Sequence, residues 1–94
     1  PLLSVGGRGV ISVLSNVDPV RCVALSRAVA EGRWDDARAL HHALMPLTRF
    51  LFSDSNPVPC KAALASLGLC KNELRLPLAA GASPTAALLA DVKA

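Results

Sequence analysis

Lys61 stands near the start of an alanine-rich stretch and is the one lysine worth weighing as a Schiff-base nucleophile. A nucleophilic lysine needs a dry pocket or a cationic neighbour to shed its proton. The residues around Lys61 offer neither, so a packed or salt-bridged lysine is the expected role. His41 and His42 are adjacent, which on a helix turns their rings about 100° apart and stops them sharing a metal as neighbours. No carboxylate or cysteine stands four residues from either, so a surface or interface role is expected. Cys22, Cys60 and Cys70 are odd in number and lack CxxC spacing, against both a disulfide framework and a zinc site. They read as small core thiols in a reducing compartment. Asp35 and Asp36 fit the first turn of a helix, where its dipole favours negative charge. No Ser-His-Asp set or catalytic carboxylate pair stands out. We therefore expect no catalytic residue, no metal ligand and no cofactor site within the chain.

The GGRG turn at residues 6–9 invites a phosphate-loop reading, but it lacks the GK[ST] ending and precedes an apolar run instead of joining strand to helix. Tight-turn glycine is the better account. Ser15 and Asn16 lie just after that run. If it is a strand of an α/β barrel, they fall on the face where the loops carry chemistry, and they could contact a ligand there. Turn and capping roles suit them equally.

These residues need elements to hold them. Residues 9–13 (GVISV) are almost wholly apolar and carry three β-branched side chains, the pattern of a strand buried on both faces of a parallel sheet. A helix over residues 18–31 follows, with Asp18 as N-cap, Pro19 at the first helical position and Gly32 just beyond its end. A strand buried without partners leaves about ten polar backbone groups unpaired at roughly 1–3 kcal/mol each. That matches or exceeds the stability of a typical domain. The segment therefore requires strands from beyond residues 6–19, and without them it should go to helix or disorder and promote self-association. The chain reads as the last piece of a larger α/β protein.

The longest predicted helix covers residues 34–52. Its Ala37, Leu40, Leu44, Leu47 and Leu51 form one apolar stripe, and Pro46 inside it predicts a kink near His42. Residues 53–59 (SDSNPVP) are a turn-rich connector, and a short helix runs from 59 to 67 before Gly68. Residues 74–78 (LRLPL) read as extended coil because of Pro77. A last helix capped by Ser83, with Pro84 at its first position, is expected to reach Val92, and residues 1–5 read as the end of an earlier helix capped by Gly6.

Ninety-four residues, 52% of them hydrophobic, allow one small core. The net charge of +3 is spread without runs or aromatic interleaving, which argues against a nucleic-acid surface. Uncharged stretches fall short of the ~20 residues that a membrane span needs, and the opening PLLSVGG has no basic signal-peptide start. We expect no nucleic-acid and no membrane partner.

Four stretches, LLSVGGRGVISVLSNVDP, ALMPLTRFLF, SNPVPCKAALASLGL and ELRLPL, together resemble the C-terminal third of the dihydrodipicolinate synthase family, also called 4-hydroxy-tetrahydrodipicolinate synthase. They occur in the family's order over nearly the whole chain. The resemblance implies an α/β fold: residues 1–32 as the last βα unit of a (β/α)8 barrel and residues 33–94 as a C-terminal helical extension, mostly α taken alone. It implies a cytoplasmic (or plastid) lyase of lysine biosynthesis that joins pyruvate to aspartate semialdehyde through a lysine Schiff base, often as a homo-oligomer. Ile11 matches the position that helps seat pyruvate. Val13 stands where the similar sialic acid aldolases place a serine, which favours the synthase. The family's Schiff-base lysine, tyrosine and threonine relay have no counterpart here, and Lys61 matches a lysine of the extension. The resemblance thus implies an inactive chain that needs an upstream barrel portion as partner. A non-catalytic helical interaction module and a keto-acid aldolase with another acceptor are the competing readings.

Overall fold

A computed structural model describes residues 1–92. A 3-10 turn, Leu3–Val5, is closed by Gly6 in the left-handed conformation. Five α-helices follow: α1 (Leu14–Val17), α2 (Pro19–Ala30), α3 (Trp34–Leu51), α4 (Val58–Ser66) and α5 (Ala86–Leu89). Among the described residues none is long and apolar enough to cross a membrane.

The helix boundaries follow from local chemistry. Asp18 caps α2 by accepting the Arg21 backbone N–H at 3.1 Å, and Pro19 occupies the first turn as expected. Gly32 (φ 72°) and Gly68 (φ 73°) supply the left-handed turns that follow α2 and α4, a conformation a Cβ would strain. Asp35 and Asp36 lie in the first turn of α3, paired with Arg38 at 3.0 Å and Arg33 at 2.5 Å. Ala37, Leu44, Leu47 and Leu51 are buried along one stripe of α3, with Leu40 half-buried beside them. The helix runs unbroken through Pro46. Its stripe is what organises the fold: α2 packs along α3, and α1, α4 and α5 close around its C-terminal half. The core there is Val17, Leu47, Leu51, Cys60 and Ala63. Burying such side chains contributes about 1.5–3 kcal/mol for each large aliphatic one.

Two expectations are corrected. Residues 9–13 form no strand; they run without regular structure into a bend at Val13, with Val10 76% and Ile11 fully exposed. A strand exists only through ladder bonds to a neighbour, and no strand is present among the described residues to supply them. The backbone groups are left to solvent, the low-energy alternative to unpaired burial. The last helix is shorter than expected and starts later. Thr85, not Ser83, caps α5 by accepting the Leu88 N–H at 3.3 Å. Thr85 itself is extended (φ −73°, ψ 154°), so the chain enters the helix only after it. Residues 74–78, expected as extended coil, join no sheet but close in a turn, the Leu78 N–H donating to the Arg75 carbonyl at 3.0 Å.

Candidate functional site

The residues that follow Ile11 fold into a compact capped turn. Ser12 Oγ accepts the Ser15 N–H at 3.0 Å, so Ser12 provides the side-chain cap for the single turn α1. Asn16 spends its amide on the same turn, donating from Nδ2 to the Ser12 and Val13 carbonyls, each at 3.1 Å. Ser15 Oγ also leans toward the Ser12 carbonyl at 3.4 Å. Both residues therefore take the capping role that competed with ligand contact. Val13 turns inward and packs against the core around Val17 and Leu47. Ile11 points away from that core into solvent.

Behind the turn, the Asp18 carboxylate is wholly buried. It receives both the backbone N–H and the Nε–H of Arg21, whose side chain is itself only 16% exposed. Burying a carboxylate is tolerable because two donors, one of them cationic, satisfy it. Sequence reading identified the cap and missed the guanidinium; the i, i+3 spacing of Asp18 and Arg21 was the available signal.

Lys61 lies elsewhere. Its Nζ donates to the Glu73 carbonyl and lines an open groove with Pro57, Leu74, Arg75 and Leu78. His41 and His42 stack edge to face, ring centroids 5.4 Å apart, on α3. Cys60 is a core residue, Cys22 is half-buried and Cys70 is exposed, and all three thiols are free. Burial pushes the Cys60 and Cys22 thiols above their ordinary range, with the Asp18 charge adding to the effect at Cys22. Among the described residues no three His, Cys, Asp or Glu side chains gather as a metal set. The candidate site is thus one strip of backbone: Ile11, then a turn held from beneath by Ser12 and from behind by Asp18 and Arg21.

A sequence profile described as the dihydrodipicolinate synthetase family matches residues 1–91. The chain belongs to that family. The 4-hydroxy-tetrahydrodipicolinate synthase of Methanosphaerula palustris is 55% identical over 78 residues, covering 83% of this chain and 27% of that protein. Its counterpart in Thermotoga maritima is 46% identical over 91 residues, which is 97% of this chain and 31% of that one. The crystal structure of the Thermotoga maritima dihydrodipicolinate synthase superposes with a TM-score of 0.85 over 96% of this chain and 30% of its own. The Aquifex aeolicus synthase does so with a TM-score of 0.82 at 43% identity, over 87% and 28%. The chain therefore spans less than a third of the length of these synthases.

The synthases are (β/α)8-barrel proteins, and this chain contributes a mostly helical portion of that architecture. A superposition over 96% of 94 residues leaves out about four, so residues 9–13 cannot all lie outside it. At least part of this run, even without ladder bonds, therefore belongs to the portion that matches the synthase backbone.

Proposed function

We propose that this chain is the C-terminal part of a dihydrodipicolinate synthase and supplies one wall of its keto-acid pocket. In that reading residues 1–32 are the last βα unit of the barrel, and residues 33–94 are the helical extension that braces it. The carrying observation is the 46% identity over 97% of the chain to a synthase of which it covers only 31%. The reaction is the condensation of pyruvate with aspartate semialdehyde in lysine biosynthesis, in a cytoplasmic or plastid homo-oligomer.

The chemistry defines what this chain contributes. A lysine from the upstream barrel portion attacks the pyruvate carbonyl and, after loss of water, forms an imine whose positive nitrogen draws electrons from the methyl carbon. Loss of a methyl proton gives an enamine, and its carbon attacks the aldehyde. Ile11 offers an apolar surface against the bound keto acid, keeping water from the imine and fixing the orientation of the methyl group. The residue 9–13 run gains its ladder bonds from the neighbouring barrel strands, which also cover Val10. Lys61, bonded to the Glu73 carbonyl on the extension, takes no part.

The test is complementation. The chain is mixed with a separately produced upstream portion of the Thermotoga maritima synthase, and pyruvate-dependent condensation is measured. Activity is expected in the mixture and in neither part, and Ile11→Asp should abolish it by setting a charge against the keto acid. A mixture in which the two parts bind each other yet stay inactive would overturn the reading.

A further inference from the structure

The turn α1 cannot stand by itself, since four residues form a helical nucleus that is unfavourable in isolation. Three groups hold it. Ser12 caps it, Val17 anchors it in the core at 1% exposure, and Asp18 ties its end to α2. The carboxy-terminal segment reaches two of these three. Leu88, Leu89 and Val92 pack against the cluster that contains Val17. Arg21, already bonded to the buried Asp18, extends Nη1 to within 3.8 Å of Asp91 Oδ2. The other ion pairs among the described residues join side chains two or three positions apart; this one joins residues 70 positions apart.

We propose that α5 and Asp91 form a latch on the turn at residues 14–18, with Arg21 as the positioning residue that transmits it. The apolar contacts hold the segment against the core cluster in which Val17 sits, and the Arg21–Asp91 pair sets its register. Arg21 is well suited because its fork can serve a buried carboxylate with Nε and an exposed one with Nη1. The turn begins three residues after Ile11. Resting on the functional reading above, the latch therefore governs how firmly the pocket wall is held against the keto acid, without touching it.

The test uses the complete synthase that carries this segment, with two variants. Asp91→Arg turns the exposed pair into a like-charge contact and leaves the apolar contacts in place, and deletion of residues 86–94 removes the whole latch. Amide hydrogen exchange is read at Asn16 and Asp18, whose N–H groups bond to the Val13 and Leu14 carbonyls at 3.2 and 2.9 Å. Exchange at these two amides should rise about threefold in Asp91→Arg, the scale of an exposed ion pair, and about tenfold or more in the deletion. Amides of α3 should keep their rates in Asp91→Arg, which separates a released latch from general unfolding. The KM for pyruvate should rise with kcat within about twofold, the pattern of lost ground-state positioning. Unchanged exchange at Asn16 and Asp18 in both variants overturns the latch. Raised exchange with an unchanged KM overturns the positioning role of Arg21. If the parent protein fails to condense keto acids while exchange still responds, the latch stands and the functional reading falls.

Discussion

Lys61 and Glu73 are joined across twelve positions: the Lys61 ammonium donates to the Glu73 main-chain carbonyl. The bond ties the non-regular stretch after Gly68 back onto α4 and uses the very group that a Schiff base would need as a free amine. A lysine held as a donor to a carbonyl is a brace. The Glu73 carboxylate is left to Lys71 at 3.9 Å, an exposed pair that adds little.

Incubation of the chain with pyruvate and borohydride should therefore leave Lys61 unmodified by peptide mass spectrometry. Lys61→Met should leave α4 intact but free the stretch beyond it, seen as faster proteolysis between residues 70 and 78. A stoichiometric pyruvate adduct on Lys61 would make the chain an enzyme in its own right.

Asp18 is the most exacting polar residue of the fold, fully buried and serving two donors. Asp18→Ala removes the cap and strands the Arg21 guanidinium, and should lower stability by about 1–3 kcal/mol in urea titration. Asp18→Asn keeps an acceptor for the Arg21 N–H and should cost about half as much. Equal losses in the two variants would mean that charge, and not capping, is what the site supplies.

The three thiols should separate by rate. Iodoacetamide near pH 8 is expected to label exposed Cys70 first and half-buried Cys22 next, leaving Cys60 until the chain unfolds. Desolvation raises the Cys60 thiol, so folding favours its neutral form. Its contribution to stability is complete below the ordinary thiol value of 9.0 and is lost as pH rises through the higher folded value. The urea midpoint should thus fall in alkali, and Cys60→Ala should flatten part of that fall.

Sequence by itself determined the interior of this fold wherever the cause of structure is local. The cap at Asp18, the proline behind it, the glycines after α2 and α4, and the α3 stripe each act within one or two helical turns. Their residue types suffice to place α2, α3 and α4 within a residue or two. The four family stretches were equally legible, since a motif is a local string. Tertiary structure decided everything that depends on a second segment. An apolar β-branched run at residues 9–13 specifies readiness for a sheet, but ladder bonds belong to two strands at once, and the run stays irregular with Val10 and Ile11 exposed. Residues 14–17 became a helical turn because Val17 found the core and Ser12 found the Ser15 N–H. Thr85, not Ser83, became the cap of a helix whose Leu88 and Leu89 pack against the core. Likewise, Lys61 with Glu73 and Arg21 with Asp91 are pairs that no spacing announces. The partners are brought together by the fold-back of the stretch after α4 in the first case and by the packing of the intervening helices in the second, and such contact is a property of the packed chain alone.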